Sequence, residues 1–391
     1  MRVLAITRIF PNSLEPLSSP FNRQQFGALA KHVDLDVLEA IPYVPLASRF
    51  GVPARAARLD ALPKDESIDG IPVRIMRAPY LPRVGLAAAA PLYFAASLLH
   101  LDLVRRADII LGAWAYPDAA VAIALARLLG KPSVIKVHGS DVNVIAKRPG
   151  ARLWLKALLP SATRAVCVSR PLGQELQKLG VAEGRIRFVA NGVDTALFRS
   201  QSRGAARVQL GVPQDAKLVV FVGRLEVAKG IDELLTAIER LRRERPSLRF
   251  ALLGDGESSA RVKLLADASG GHVLAPGARP LPEIASWLAA CDVFCLPSHR
   301  EGTPNVVLEA LASGRPVVAS DVGGIPDLVD DDVGRLVPVK NAERLARALA
   351  EVLDAAWDEE RIVRRGPKSW DESALALLSV LEEARAAAAA G

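Results

Sequence analysis

The chain carries short apolar runs with no polar alternation at residues 2–7, 35–38, 109–111, 133–137, 165–168 and 187–189, and again at 218–222, 249–253, 293–296, 316–319 and 334–337. A strand with one wet face alternates apolar and polar residues. A run that is apolar at every position belongs to a strand covered on both faces, as in a parallel sheet between helices. Helical patterns of 10–20 residues, such as 231–243 and 281–290, separate the runs. Repeated strand–helix alternation gives doubly wound α/β layers. The series restarts near residue 215, after a stretch from 194 to 215 that holds Gly204, Gly211 and Pro213 and no long apolar run. That stretch is the expected linker. The chain therefore reads as two similar α/β halves with a cleft between them, and 391 residues suit two domains. In such sheets ligands bind at the carboxyl ends of the strands. The Ala-rich helix from about residue 370 onward fits either half.

Composition narrows the setting. Three cysteines, Cys167, Cys291 and Cys295, exclude a disulfide scaffold and point to a reducing compartment, hence the cytoplasm. Histidine is scarce and forms no cluster with cysteine, so no metal site is expected. The apolar start is too short for a secretion signal and contains Arg2 and Arg8. The net charge of +7 is uneven: residues 1–197 hold 25 Lys/Arg against 15 Asp/Glu, and residues 198–391 hold 25 against 28. A basic first half suits an anionic partner, or is simply a solvated basic surface. No interleaving of aromatic and basic residues supports nucleic acid as that partner. The run Lys147-Arg-Pro-Gly-Ala-Arg-Leu-Trp-Leu-Lys places cations beside Trp154, Leu155 and Leu158, a mixture suited to anionic lipid; a core face with solvated cations opposite is the alternative. Residues 84–101 lack formal charge over 18 positions, but Pro91, a run of four alanines, Ser97 and His100 favour a core helix, or a surface helix dipping into lipid, over a membrane span.

Three stretches follow strands and carry chemistry. In Pro297-Ser-His-Arg-Glu-Gly-Thr-Pro-Asn-Val-Val-Leu-Glu, a turn leads into a helix opening near Pro304. The first-turn amides of such a helix suit an anion, here around Gly302, Thr303, Pro304, Asn305 and Val306. Glu301 and Glu309 are placed to hold hydroxyls of a sugar and a ribose, unless Glu301 merely caps the helix and Glu309 pairs with Arg315. In Phe221-Val-Gly-Arg-Leu-Glu-Val-Ala-Lys-Gly-Ile, Gly223 precedes Arg224 and Lys229, which can converge on a diphosphate or stand as solvated cations. In Val137-His-Gly-Ser-Asp, His138 follows a strand of the first half, where it acts on a substrate or is satisfied by backbone. Gly254-Asp-Gly lacks a full dinucleotide pattern, residues 7–20 contain no glycine, and no P-loop exists.

Taken in order, these motifs resemble the retaining glycosyltransferases of family 4, over essentially the whole chain. Glu301 and Glu309 resemble the family's paired glutamates, and Gly223-Arg-Leu with Lys229-Gly resembles its diphosphate loop. His138-Gly-Ser-Asp, Asn191-Gly-Val-Asp, Gly254-Asp-Gly and Gly323-Gly-Ile-Pro stand in the family's order, and Ser369-Trp-Asp resembles the point where the last helix crosses back. The resemblance implies the GT-B fold: two Rossmann-like, doubly wound domains facing a central cleft. Residues 1–196 would form the acceptor domain, 197–369 the donor domain, and helix 370–391 would pack back on the first. It implies Glu301 on the transferred sugar, Glu309 on the ribose, Arg224 and Lys229 on the diphosphate and His138 near the reacting carbon. Asp141 and Asn191 would shape that wall. Ser18 and Ser19 stand where related chains tend to carry glycine, and Asp327 replaces a usual glutamate. The implied activity is metal-independent, cofactor-free transfer of a hexose from a nucleotide-diphosphate sugar, with UDP first and GDP second. The expected acceptor is a lipid-linked saccharide in cell-surface polysaccharide or glycolipid biosynthesis, met at the inner face of the plasma membrane. A soluble acceptor, an epimerase and a non-catalytic sugar-nucleotide binder are the alternatives.

Overall fold

A computed structural model of the chain describes residues 1–16, 18–44, 54–79 and 85–389. Val84, the first residue of the uncharged segment, and residues 390–391 at the end of the last helix lie outside them. The chain separates into two compact units, Met1–Asn191 with Trp370–Gly391, and Gly192–Ser369.

Unit 1 holds β1 (Arg2–Thr7), β2 (Asp34–Tyr43), β3 (Asp65–Ile68), β4 (Ile71–Pro79), β5 (Ile109–Gly112), β6 (Ser133–Lys136), β7 (Arg164–Cys167) and β8 (Ile186–Phe188). They form one sheet in the order β3-β4-β2-β1-β5-β6-β7-β8. Every neighbouring pair is parallel except β3–β4. The apolar runs mean what the sequence implied. Leu4, Ile6, Leu38, Ile110 and Ile135 enter one core, while Val3, Ala5, Val37, Ile109 and Val134 enter another. Successive side chains point to opposite faces, so a strand with both faces covered must be apolar throughout. The second core also takes Phe26 and Leu29 from the helix Pro20–Leu29 and Trp370, Ala374, Leu377 and Leu381 from the helix Trp370–Ala389.

The antiparallel hairpin β3–β4 was not among the expected strands. It turns through Asp69 (φ 52°) and Gly70 (φ 83°), a two-residue Asp-Gly loop whose left-handed backbone matches the strand twist. β3 is a largely polar edge strand, Asp-Glu-Ser-Ile, and β4 is interrupted by Pro72, Arg74 and Arg77, so neither carries a continuous apolar run. The uncharged segment is broken into a turn at Gly85–Ala88, a helix at Ala89–Ser97 and a turn at Leu98–His100. No helix among the described residues is long and apolar enough to cross a membrane. In the helix Pro149–Leu158, Leu155 is buried and Trp154 donates its Nε1–H to the Ala87 carbonyl at 2.9 Å. The apolar side chain that stands among the cations is instead Leu153, 70% exposed between Arg152 and Lys156.

Unit 2 holds β9 (Lys217–Val222), β10 (Leu248–Leu253), β11 (Val273–Gly277), β12 (Val293–Leu296), β13 (Val317–Ser320) and β14 (Gly334–Val337). All neighbours are parallel, in the order β11-β10-β9-β12-β13-β14. Helix Ile231–Glu244 buries Ile231, Leu234, Leu235, Ile238 and Leu241 at helical spacing against this sheet. The expected linker is a built part of the unit. Ser202 caps the helix Arg203–Leu210 by accepting the Ala205 amide at 3.3 Å. Buried Arg207 in that helix pairs with Asp292 at 2.7 Å and donates to the Ala290 carbonyl at 3.1 Å. The polar character of the stretch reflects this ion network, not a solvated connection.

Candidate functional site

In unit 2 four strand-end loops are tied to one another. The Gly223 amide donates to Leu253 O at 3.0 Å, the Leu225 amide to Asp255 O at 3.0 Å, and the Ser258 amide to Leu225 O at 2.8 Å. These bonds hold the loop after β9 against the one after β10, and Gly254 lies between them, its amide on Gly277 O at 3.0 Å. On the other side the His299 amide donates to Ala228 O at 2.9 Å, and the Gly324 amide to Gly302 O at 2.6 Å. Two glycines make this possible. A Cβ on Gly230 (φ 73°) would lie 2.0 Å from Pro297 O, and one on Gly323 (φ 60°) 2.1 Å from Glu301 O. Both backbones are left-handed and in contact with a neighbouring loop, so no side chain fits.

Across this seam Lys229 Nζ meets Glu301 Oε1 at 2.7 Å, with Glu301 9% and Lys229 25% exposed. Beside it His299 Nε2 lies 3.1 Å from Glu233 Oε2. Lys229, Glu301 and Gly302 are thus brought together. Arg224 is not: it is 75% exposed and paired with Glu226 at 3.0 Å. Helix Asn305–Ala312 opens on Pro304, which stands at the cap rather than inside the first turn, and no side-chain cap bond is made there. The partner of Glu301 is Lys229 rather than the helix start. Arg315 pairs with Glu359 at 2.9 Å rather than with Glu309. Glu309 is half-buried, and burial pushes its carboxyl up to about 7. Thr303 and Asn305 both have partners, and Val306 packs at the core margin. An ammonium, a poised carboxylate and a helix N-terminus beside strand ends can bind a phosphate and hydroxyls together.

In unit 1 Asp141 organises the turn after β6. Its carboxylate accepts the amides of Gly139 at 2.7 Å, Ala115 at 2.9 Å, and His138 and Val142 at 3.1 Å. Burial pushes its carboxyl above the usual carboxylate range, while these amides oppose the shift. The His138 ring lies 4.8 Å from the Phe21 ring and 6.1 Å from the Trp114 ring, centre to centre. Burial, with the Lys136 charge added, holds its imidazole well below the usual range, so it is neutral. Its Nε2 and the Trp114 Nε1 are buried without a partner among the described residues. A neutral imidazole in that state can accept a hydrogen bond from a hydroxyl. Asn191 is buried. Ser18 and Ser19 place their hydroxyls 3.5 Å apart at the start of the helix Pro20–Leu29, whose Phe21 reaches the His138 ring. Sequence reading passed over Trp114 and buried Asp118, which accepts the Arg8 amide at 2.7 Å. Both follow β5, the strand next to β6, and that position was the available signal.

The family model for glycosyl transferases group 1 matches residues 202–369, and that for glycosyltransferase family 4 matches residues 28–197. The putative teichuronic acid biosynthesis glycosyltransferase TuaC of Bacillus subtilis is 32% identical over 357 residues, covering 89% of this chain and 88% of TuaC. Among solved structures, sucrose-phosphate synthase from Thermosynechococcus elongatus superposes with a TM-score of 0.75 at 22% identity, covering 99% of this chain and 100% of that one. Anabaena HepE in complex with UDP gives 0.69 at 20% identity, with complete coverage of both chains.

Proposed function

The chain belongs to glycosyltransferase family 4 and has the GT-B fold, and from that premise we propose that it moves a hexose from a UDP-sugar to a lipid-linked saccharide with retention of configuration. The observation that carries the donor half is the Lys229–Glu301 pair at the seam of the unit 2 loops. Breaking the bond between the anomeric carbon and the phosphate oxygen leaves negative charge on the diphosphate. Lys229 and Arg224 supply fixed positive charge for it, so the reaction needs no metal. Glu301 takes hydroxyls of the sugar, Glu309 those of the ribose, and the amides around Gly302–Val306 face the phosphates. As the acceptor oxygen bonds to the anomeric carbon, its proton passes to the departing phosphate oxygen on the same face, which retains configuration. The family resemblance assigns His138, Asp141 and Asn191 of unit 1 to the acceptor side of the reaction. The choice of UDP is supported by the structure of HepE in complex with UDP, and a polysaccharide product by the name of TuaC. The basic first half, with Leu153 exposed among cations, supports a site of action at the cytoplasmic face of an anionic membrane.

Thermal unfolding with UDP, GDP and ADP, each with and without EDTA, tests the donor assignment. A ligand at 100 times its Kd adds about 2.7 kcal/mol of stability. A UDP-selective, EDTA-insensitive shift is expected. A shift with GDP alone would change the base, and none with any nucleotide would overturn the transferase reading in favour of a non-catalytic role.

A further inference from the structure

Lys136, the last residue of β6, is fully buried, which lysine avoids unless its ammonium is paired. Here its Nζ donates to an amide, Gln25 Oε1, on the helix Pro20–Leu29. Gln25 Nε2 donates in turn to Ser373 Oγ at 2.9 Å, on the last helix, and Ser373 Oγ donates to the Ala190 carbonyl at 2.6 Å. Gln25 and Ser373 are buried too. The direction of the chain is forced. An ammonium only donates, so Gln25 must turn its oxygen toward Lys136 and its NH₂ toward Ser373. Ser373 then accepts, and its one proton is left for Ala190.

The last two members of this chain, Ser373 and Ala190, stand where the polypeptide changes units. Ala190 is one residue before the outward pass at Asn191–Gly192, and Ser373 three residues after the return at Ser369–Trp370. Beyond the crossing, the two passes are joined again by the Val193 amide on Lys368 O at 3.0 Å. We propose that Lys136–Gln25–Ser373–Ala190 is a positioning device that fixes the outward and return passes to unit 1, with Lys136 as its orienting residue. The device stands on geometry within unit 1, apart from the transfer reaction proposed above.

The charge of Lys136 is what orders the chain, because a neutral amine also accepts and frees the amide to turn. Burial pushes its ammonium down to about 7, opposed by the Asp141 carboxylate. His138, two residues on at the same strand exit, is held neutral by burial and by the Lys136 charge. Of the other charges on these elements, Arg23 pairs with Asp69, Lys31 with Asp371, and Glu383 with Arg164 and Arg187, while the last helix also carries Glu372, Glu382 and Arg385.

Hydrogen exchange of the full chain, followed on peptides covering 189–194 and 368–374 and scaled for intrinsic rates, tests the device. Wild type should exchange these amides about tenfold faster at pH 8.5 than at pH 6, the loss of about one hydrogen bond. Lys136→Met and Ser373→Ala should be fast at both values, while Ser373→Thr, which keeps the hydroxyl, should match wild type. The β1 and β5 amides should stay protected in every variant. Unchanged protection in Ser373→Ala, an even loss across unit 1, or a wild type insensitive to pH would each overturn the proposal. Should Lys136→Met fail to fold, the serine pair and the wild-type pH profile decide it.

Discussion

Lys229 and Arg224 both offer the charge a leaving diphosphate needs, but in different surroundings. Lys229 is three-quarters covered and holds Glu301, whereas Arg224 stands in solvent beside Glu226. An exposed ion pair contributes at most about 1 kcal/mol. Arg224→Ala should therefore leave the melting temperature unchanged and lower turnover about 10²–10³-fold. Lys229→Met should lower both, because it strands a covered carboxylate. Steady-state rates with UDP-sugar beside thermal melts separate the two. Glu309 gives a pH test. Its carboxyl sits at about 7 in the folded chain against 4.5 for the free group. The folded state thus holds that proton more tightly, a contribution complete below about pH 4.5 and lost as the pH rises through about 7. Glu309→Gln should raise the melting temperature at pH 8 and leave it nearly unchanged at pH 4.5. In the proposed role the ionised Glu309 carboxylate accepts from the ribose hydroxyls more strongly than the protonated acid, so UDP affinity of the wild type should fall below pH 7 relative to that variant, measured by calorimetric titration from pH 5.5 to 8.

At the scale of elements, the loop entering the first long helix carries a local conflict. Ser19 adopts φ 48° and ψ 55° at the helix start and makes no side-chain cap bond. A side chain in that left-handed region costs about 1–2 kcal/mol. Ser19→Gly should raise the stability of unit 1 by up to about 1 kcal/mol in thermal unfolding, and a fall would show that the hydroxyl is needed. Legibility also varied by element. Most of the buried parallel strands were plain in the sequence because burial on both faces leaves no polar position, but β4 and β11, parallel to β2 and β10, were not expected. The hairpin β3–β4 was missed even though Asp69-Gly70 announced its turn. The helix Arg203–Leu210 passed for a linker because Arg207 is polar yet buried on Asp292, 85 positions later, and no local pattern predicts such a partner.

For the whole molecule, the uneven charge sets a prediction about membranes. The exposed set is Arg152, Leu153 and Lys156, with Leu99 also bare. Each cation near an anionic surface contributes about 1 kcal/mol, so Arg152→Gln with Lys156→Gln should weaken binding to phosphatidylglycerol vesicles at least about tenfold. That binding should fade with salt, and co-sedimentation with neutral vesicles to the same extent would remove the membrane from the picture. The sequence by itself determined the α/β class, the repeat of the strand–helix series and the order of the motifs, because burial periodicity and strand-end turns are written in neighbouring residues. It could not decide that Lys229 meets Glu301 while Arg224 stays apart, that His138 is held neutral between aromatic rings, or that a buried lysine reaches the last helix through Gln25. Those depend on residues far apart in the chain being brought within 3–6 Å by packing, and a side chain acquires its acidity and its partner only from the neighbours that packing gives it.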